Sequence, residues 1–351
     1  MNARTRDRRV YLGSHPLLFA LLTATRGRPV RRLGGTLLVH DRAAFTAALT
    51  AVPLDRSAPG TTGGAAGRLS GGDLLFDQQG SAHRQARRDT ADTLSAAGVA
   101  RLRPVWTRLL DERINAQAIS GLDLVPLAAE LAGTTAAALL DLTIDGRLLA
   151  AAAQDAAATA ARVHLPGLRR RSADRAAQAA ADRLMALLGP GAVPRDAMLA
   201  VAAITTTVAA VPRAVAWACD ANLWAYADSP ALTDELLRVT APTPLLPRVA
   251  AAPGELPTGC PVRSGDRMLL VARHALDAHR HDPDPRRPAP PQVAQLAFGV
   301  GPHACPGARL ARTQLGDVLR ALAPLRPVVV RSRVDRRAAL PSWRSLVVRA
   351  S

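Results

Sequence analysis

The sequence contains no lysine, so all 45 basic residues are arginines, and with 28 acidic residues the net charge is +17. A GC-rich genome explains this bias more simply than selection for phosphate binding does. The arginines are dispersed along the chain, and no basic stripe is interleaved with aromatic residues. These features argue against nucleic-acid binding and favour an acidic protein partner for the basic surface.

Aromatic residues are also scarce, at 3% of the chain, whereas apolar residues reach 48% and are dominated by alanine and leucine. Alanine and leucine are strong helix formers, so the composition predicts a mainly helical, aliphatic core. A chain of 351 residues is long enough for one large domain or two. Because no linker or internal repeat interrupts the sequence, we expect a single domain over residues 1–351.

Cysteine is rare as well, with Cys219, Cys260 and Cys305 far apart in the sequence. An odd and sparse set is not a disulfide framework, and it fits a reducing cytoplasm. Long apolar runs are missing too, because the best candidate, Ala197–Pro212, is shorter than the ~20 residues that a membrane span needs. The sequence therefore predicts a cytoplasmic, soluble protein without a membrane partner.

The first residues, Met1–Arg26, resemble a signal peptide because a basic head precedes an apolar run. However, Gly13-Ser14-His15-Pro16 interrupts the approach to that run, which is itself short. We therefore interpret this segment as a first amphipathic helix.

Hydrophobic periodicity and breaker residues predict a chain of helices with few strands. The predicted helices are Leu17–Arg26, Arg42–Thr50, Ser81–Leu94, Val99–Ala118, Leu127–Leu142, Leu148–Arg162, Ala173–Leu188, Arg195–Ala227, Leu232–Val239 and Cys305–Leu322. The predicted strands are a hairpin from Pro29 to His40 with a Gly34-Gly35 turn, and the runs Leu245–Ala250, Arg267–Val271, Pro327–Arg331 and Ser345–Arg349. Between them, Asp277–Pro291 lacks periodicity and is predicted to be an irregular loop.

The most informative segment is Phe298-Gly299-Val300-Gly301-Pro302-His303-Ala304-Cys305-Pro306-Gly307. It matches the heme-binding loop of the cytochrome P450 family at every defining position, and the chain resembles that family over nearly its whole length. The resemblance implies a mainly α protein with the P450 fold, in which a large helical portion is joined to a small β-rich portion. It also implies heme b, iron protoporphyrin IX, as the cofactor.

In this resemblance Cys305 supplies the thiolate that binds the heme iron, which backbone N–H groups and a following helix N-terminus would stabilise. Glycines in the loop, including Gly299 and Gly307, would let the backbone fold tightly under a flat macrocycle. Phe298 would pack on the porphyrin, and His303 would reach a heme propionate.

Three other interpretations of the loop are weaker. A phosphate-binding loop would end in Gly-Lys-Ser or Gly-Lys-Thr, which is absent. A zinc site would need paired Cys and His ligands, whereas His303 and Cys305 have no second pair at metal spacing. A structural Gly-rich turn beside a buried cysteine is the simplest alternative, and the motifs elsewhere in the chain argue against it.

The segment Glu235-Leu236-Leu237-Arg238 matches the family's Glu-x-x-Arg motif, and positions i and i+3 share a helix face. A surface ion pair would have the same spacing. In the family this pair binds an arginine from the irregular loop before the cysteine, and here Arg286 or Arg287 is the candidate. The resemblance therefore assigns Glu235 and Arg238 a structural role.

His83 and Arg87 resemble the family's His-x-x-x-Arg, whose side chains reach one propionate, and Pro247-Arg248-Val249 resembles a strand that gives another propionate-binding arginine. The i, i+4 spacing puts His83 and Arg87 on one helix face, although a solvated basic helix would look the same. With His303, these residues would supply donors and positive charge to both propionates.

The chain departs from the family on the long central helix, where the nearest match is Ala202-Ala203-Ile204-Thr205-Thr206. Thr206 takes the usual catalytic threonine position, but Thr205 stands where an acid that helps proton delivery is expected, and Ala203 where a glycine is expected. A register with Thr207 as the catalytic threonine is an alternative. Equally, these hydroxyls could simply satisfy carbonyls one turn earlier.

The segment Arg273-His274-Ala275-Leu276, with His279, also replaces a common family sequence before the cysteine loop. This departure makes the third member of the Glu235 and Arg238 network uncertain at the level of sequence, and it leaves the heme loop itself unchanged.

The resemblance implies a monooxygenase that oxidises, most often by hydroxylation, a small lipophilic natural-product-type substrate with O₂ as the oxidant. Electrons would come from an acidic ferredoxin and a ferredoxin reductase, and the basic residues Arg87, Arg88, Arg309 and Arg312 suit that partner. We expect a monomer. The predicted pocket segments are Ser57–Gly72, Leu165–Arg171 and Leu245-Leu246. Alternatives are a peroxide-driven enzyme, a cyclisation, coupling or isomerisation catalyst, and a non-catalytic recruitment module.

Overall fold

The computed structural model describes residues 2–61, 63–64, 80–117, 121–164 and 171–351. Most of two predicted pocket segments, residues 57–72 and 165–171, therefore lies outside the described residues, as does the side chain of His303.

Helices form most of the described chain. The first eight are α1 (Ala3–Ser14), α2 (Pro16–Thr25), α3 (Arg42–Thr50), α4 (Gly80–Ala91), α5 (Ala96–Gln117), α6 (Leu124–Leu139), α7 (Gly146–His164) and α8 (Arg171–Leu188). Five more follow, α9 (Pro194–Asp220), α10 (Pro230–Thr240), α11 (Ala272–Ala275), α12 (Pro291–Gln295) and α13 (Ala308–Leu322). The predicted helices are thus present, with boundaries that shift by a few residues.

Two helix predictions need correction. The segment before Pro16 is a separate helix, α1, whose N-terminus is capped because the Asn2 side chain accepts a hydrogen bond from the Thr5 N–H at 2.8 Å. The residue before a proline is disfavoured in helical conformation, so His15 (φ −143°, ψ 74°) separates α1 from α2. The central helix α9 ends at Asp220 rather than Ala227, and Asn222 follows with φ 50°.

The strands form three small sheets. They are β1 (Val30–Leu33), β2 (Thr36–Val39), β3 (Leu54–Asp55), β4 (Leu122–Asp123), β5 (Leu245–Ala250), β6 (Gly254–Glu255), β7 (Pro261–Val262), β8 (Arg267–Val271), β9 (Val328–Asp335) and β10 (Ser342–Arg349). The largest sheet has the order β1-β2-β8-β5-β3, with β2 and β8 parallel and its other pairs antiparallel. The second has the order β4-β10-β9, and β6 pairs with β7. Both ends of the chain therefore contribute to the β-rich portion, as predicted.

Helix α9 passes through the centre of the helical portion. Its 18-residue apolar window is long enough to cross a membrane, and α9 is the one such helix in the described chain, but 61% of that window is buried inside the protein. It packs against α6, α7 and β10, and its C-terminal half from Val208 to Ala218 is almost continuously buried. The segment Ala197–Pro212 is thus part of a core helix, as the sequence indicates.

A buried ionic network joins α1 to α9. Arg213 on α9 is 1% exposed and donates to Asp7 Oδ1 at 2.7 Å and to the Tyr11 hydroxyl at 2.6 Å. Arg273 donates to the other Asp7 oxygen at 2.9 Å, and both guanidinium groups lie over faces of the Tyr11 ring. Burial alone would lower the pKa of Arg213, but the Asp7 carboxylate raises it above its usual value.

Three histidines form a cluster between the large sheet and the loop after α11. His40 and His274 share a hydrogen bond between their Nδ1 atoms at 2.8 Å, and the His274 ring packs on His279 with centroids 4.7 Å apart. Burial, reinforced by neighbouring positive groups, lowers the pKa of His40 and His279 to about 4 and that of His274 to about 3. All three are therefore neutral in the folded protein at neutral pH.

This cluster predicts that the free energy of unfolding falls as the pH drops below about 6.5. The histidine pKa values are lowered by folding, so the unfolded chain binds more protons, and stability is lost down to the folded-state values near 4. We expect roughly 1 kcal/mol of loss per well-buried histidine between pH 6.5 and 5.5, and less for the more exposed His279. Urea titrations should show a smaller pH slope for His274→Asn and an unchanged slope for the exposed His281→Asn. Equal slopes for all three proteins would contradict this role.

Candidate active site

The predicted cysteine loop is built on two short turns. After α12, a 3₁₀ turn spans Leu296–Phe298, and Gly299 then takes φ 74°, a left-handed conformation that strongly favours glycine. The Cys305 N–H donates to the Phe298 carbonyl at 2.8 Å and closes the loop. Gly301 also has φ 73°, and a Cβ there would lie 3.1 Å from Thr50 Cγ2 on α3. The glycines at 299 and 301 are thus required by conformation, and Gly301 also by close packing.

Gly307 has a different role from the one predicted. Its φ is −82°, so its backbone does not need glycine, but its N–H hydrogen-bonds the sulfur of Cys305. The helix after the loop begins at Ala308 rather than at Cys305. Cys305 therefore lies just before the N-terminus of α13, where the exposed backbone N–H groups stabilise a nearby negative charge.

Cys305 is a solvent-exposed residue, although protein atoms surround its sulfur. Burial raises the pKa of the thiol, while the Gly307 N–H and the positive charges of Arg87 and Arg312 lower it in part. An accessible sulfur among N–H donors and cations is suited to act as a ligand in its thiolate form.

The residues predicted to bind propionates form a positively charged cluster. Arg248 lies on β5, and its Nε is buried without a hydrogen-bond partner among the described residues. Burial, together with the charge of Arg56, lowers the pKa of Arg248 to about 10. His83 on α4 is also buried, and burial and then the charges of Arg87, Arg56 and Arg84 lower its pKa. Among the described residues, every charged group that contributes to these two shifts is an arginine.

Arg56 is a member of this cluster that sequence reasoning missed. The short strand β3 pairs with β5 so that Leu54 faces Ala250 and Asp55 faces Val249, which brings the next residue, Arg56, near Arg248. Arg56 is 7% exposed. A two-residue strand has no periodic signal in the sequence, and only the strand pairing identifies this arginine.

Arg87 joins the cluster to the cysteine loop. Its Nη1 donates to the carbonyl of Ala304, next to Cys305, at 2.6 Å. His83 and Arg87 lie on the same helix, α4, and burial and then the charge of Arg87 lower the pKa of His83.

Thr205 and Thr206 are half-buried on α9, and their hydroxyls donate within the helix. Thr205 donates to the Val201 carbonyl at 2.6 Å and Thr206 to the Ala202 carbonyl at 2.8 Å. This is the simpler of the two sequence interpretations, in which the hydroxyls satisfy carbonyls one turn earlier. Each hydroxyl oxygen can still accept a hydrogen bond from another donor, because its lone pairs are not used by these bonds.

Glu235 and Arg238 form a buried pair, with N–O distances of 2.7 and 2.8 Å and both side chains at most 3% exposed. Burial alone would raise the pKa of Glu235, but Arg238 and the N–H groups of Ala289 and Asp284 lower it. Arg238 also donates to the Leu276 carbonyl and to carbonyls of the irregular loop.

The prediction that Arg286 or Arg287 completes this network is wrong. Arg286 contacts the Tyr226 hydroxyl, and Arg287 pairs with Asp284 at the surface. The backbone N–H groups of Asp284 and Ala289 bind Glu235 at 3.1 and 3.0 Å instead. Backbone donors are the same for any sequence, so no residue type could reveal them.

A basic concavity of about 1200 Å³ opens beside the cysteine loop and includes Pro306 and Ala308 in its wall. Its arginines are Arg87, Arg88, Arg103, Arg309, Arg312 and Arg320. Arg312 is held by Asp234 at 2.6 Å, and its guanidinium lies 4.6 Å from the centroid of the Phe298 ring. The four arginines predicted near the cysteine thus line one surface.

No protein-family model matches the chain, and no functionally curated protein matches it. Solved structures do match. The chain is similar to P450BioI in complex with an acyl carrier protein ligated to hexadec-9Z-enoic acid, with a TM-score of 0.78, 18% identity, and coverage of 97% of this chain and 99% of that one. It is similar to the versatile cytochrome P450 CYP109B1 from Bacillus subtilis (TM-score 0.73, 21% identity, 96% and 100% coverage). It is also similar to epothilone B-bound P450epoK (TM-score 0.73, 18% identity, 97% and 98% coverage).

These similarities show that the chain has the cytochrome P450 fold, which confirms the fold predicted from the sequence. The residues present also fit the heme that this fold implies. Cys305, just before the N-terminus of α13, would hold the heme iron. The Nε of Arg248, which is buried without a hydrogen-bond partner among the described residues, and the arginine charge near it are suited to bind the carboxylates of a heme.

Proposed function

We propose that this protein is a heme-thiolate monooxygenase that binds heme b and oxidises a small lipophilic natural-product-type substrate with O₂. The observation that carries the proposal is the accessible Cys305 sulfur, held by a glycine-constrained loop next to a buried cationic cluster. A single thiolate and a dianion-binding cluster together are what a heme with two propionates requires. The neighbours in complex with epothilone B and erythromycin B support the substrate class.

In this proposal Cys305 holds the iron, and Arg248, His83, Arg87 and His303 bind the propionates. Arg56 joins them because its charge is already part of the cluster. Phe298 and the glycine-constrained turn shape the loop below the macrocycle. When bound, the heme would supply one-electron redox chemistry and oxygen activation, and the Cys305 thiolate would hold its iron and donate electron density to it.

The basic concavity beside Cys305 is the proposed docking surface for an acidic ferredoxin, which a reductase would supply with electrons. Its six arginines attract an acidic partner, and their field raises the association rate at low ionic strength. The enzyme would act in the cytoplasm as a monomer formed by one domain.

The test is the carbon monoxide difference spectrum of the heme-loaded protein after reduction with dithionite. A heme-thiolate protein shows the red-shifted Soret band typical of that ligand, together with a stoichiometry of one heme per chain. A protein that binds no heme would be a scaffold, and the proposal would fail. Substrate-induced spectral shifts across a panel of lipophilic compounds would then identify the substrate.

A second function is favoured by the absence of an acid at Thr205. A hydroxyl relays a proton but cannot replace it, since it has no pKa near neutrality. A peroxide-driven reaction needs less external proton delivery. A cyclisation, coupling or isomerisation that needs no oxygen would also avoid the need for the missing acid. Turnover with hydrogen peroxide, compared with turnover supported by ferredoxin, distinguishes the peroxide-driven enzyme from the O₂-dependent monooxygenase.

The same absence predicts poor coupling of electron supply to product. We expect Thr205→Asp to increase the product formed per reduced nicotinamide consumed several-fold, because general acid catalysis contributes about 10²–10⁴-fold to a rate while coupling cannot exceed one product per nicotinamide. Thr205→Asn is the matched control, since it has nearly the same shape without an ionisable group. Thr206→Ala should lower coupling further while leaving peroxide-driven turnover relatively intact. High coupling in the wild type, on a substrate without polar groups near the oxidised carbon, would contradict this prediction.

A further inference from the structure

Exposed leucines are concentrated near the N-terminus. Among the described residues, eight large apolar side chains are exposed, and four of them, Leu12, Leu17, Leu21 and Leu33, fall within 22 residues of sequence. Leu17 is the most exposed, at 87%. The exposed side chains of Leu17 and Leu21 stand one turn apart on α2.

The outer side of α2 carries no charged residue. The helix buries Phe19, Leu22 and Thr25 against the core shared with Tyr11 and Leu38. Its exposed residues are Pro16, Leu17, Ala20, Leu21, Thr23 and Ala24, and none of them is charged. We call this outer side the leucine face. A solvent-facing helix side normally carries charged residues, so this composition indicates a surface that contacts something apolar.

The exposed charged residues that flank α2 in the sequence have one sign. The exposed ones in residues 2–40 are Arg8, Arg9, Arg26, Arg28 and Arg31. None of these five forms an ion pair among the described residues, whereas Arg4, Arg6 and Arg32 each pair with an aspartate elsewhere in the chain. The one acidic residue of this region, Asp7, is 4% exposed and is bound by Arg213. The region therefore presents leucines and uncompensated arginines together.

We propose that the leucine face is a peripheral membrane-binding surface for anionic phospholipid. An interfacial helix needs an apolar side that enters the headgroup boundary and basic residues that contact anionic headgroups, and α2 with its flanking arginines has both. With 10 residues, α2 is about 15 Å long, half of the roughly 30 Å hydrocarbon core, so it lies on the bilayer and does not span it.

A protein occupant fits less well. The outer side of α2 measures roughly 15 Å by 10 Å, far below the ~800 Å² per partner of a stable protein interface. A second copy of the chain would bring together Arg26 and Arg28 of both copies, which follow α2 and form no ion pair among the described residues, and this is unfavourable. A lipid surface has no such size requirement, and its phosphates neutralise the arginines.

Flotation with lipid vesicles tests this inference on the purified full chain. We expect binding to vesicles of equimolar phosphatidylglycerol and phosphatidylcholine, weakened by high salt, and little binding to pure phosphatidylcholine. The double variant Leu17→Ser and Leu21→Ser should lower the partition coefficient by about tenfold or more. Arg26→Gln with Arg28→Gln should lower it by about fivefold per residue.

Leu148→Ser is the matched control, because Leu148 is 59% exposed on α7, outside the N-terminal region, and it should bind as the wild type does. All substituted residues are exposed, so circular dichroism should show unchanged folding. No binding of the wild type, equal binding to neutral vesicles, or undiminished binding of the leucine variant would each overturn the proposal. So would light scattering that shows a lipid-free dimer which the leucine variant abolishes. The carbon monoxide spectrum is independent of every one of these outcomes.

Discussion

Replacing Cys305 with serine is expected to abolish the thiolate-specific carbon monoxide band of the reduced, heme-loaded protein. It should also reduce oxidative turnover by more than about 100-fold. Replacing a residue that only hydrogen-bonds a metal ligand already costs up to about 100-fold in activity, and replacing the ligand itself should cost more. Serine keeps the loop conformation, because the loop is closed by the Cys305 N–H and not by its side chain. Heme should therefore still be retained in part, through the cationic cluster and apolar packing, with an altered spectrum.

The other two cysteines provide the controls. Cys219 is half-buried near the end of α9, and burial raises the pKa of its thiol to about 12. Cys260 lies between β6 and β7 in the β-rich portion, outside the glycine-constrained loop. Cys219→Ser and Cys260→Ser should leave the carbon monoxide band unchanged. If Cys305→Ser keeps the wild-type spectrum and one of these variants loses it, the proposed ligand is wrong.

The sequence predicted those parts of the fold in which local signals agree. The strands Leu245–Ala250 and Arg267–Val271 and the helix Arg42–Thr50 have the predicted boundaries, because apolar patterning and helix caps coincide there. Boundaries were missed where a helix ends at the residue before a proline, as at His15, or just before a residue in the left-handed conformation, as at Asn222. The sequence indicated a first amphipathic helix within Met1–Arg26, but the break at His15 that separates α1 from α2 was missed.

The site shows a similar division. Side chains that the loop motif names, such as Cys305 and Phe298, could be predicted because the chemistry requires those residue types at fixed spacing. Arg56 and the backbone partners of Glu235 could not, because strand pairing and loop conformation bring them into place. Long-range pairing leaves no local pattern in the sequence, so these members of the site are visible only in the folded chain.

Glu235→Ala is expected to destabilise the protein by about 3–5 kcal/mol, because it leaves the guanidinium of Arg238 buried without its counter-charge. The N–H groups of Asp284 and Ala289 would lose their acceptor in the same change. The irregular loop Asp277–Pro291 would then lose two of its hydrogen bonds to α10. Since typical domains are stable by only 5–15 kcal/mol, we expect poorly folded or heme-depleted protein rather than a merely slower enzyme.

Two variants separate the charge from the hydrogen bonds. Glu235→Gln retains one acceptor for the backbone N–H groups but removes the charge, so its loss of stability should be intermediate. Arg287→Ala removes a guanidinium from the same loop, but that side chain is 89% exposed, and an exposed ion pair contributes about 0–1 kcal/mol. Urea unfolding and heme content per chain are the measurements. A heme-replete Glu235→Ala protein within about 1 kcal/mol of the wild type would show that the carbonyls around Arg238 suffice to hold its charge.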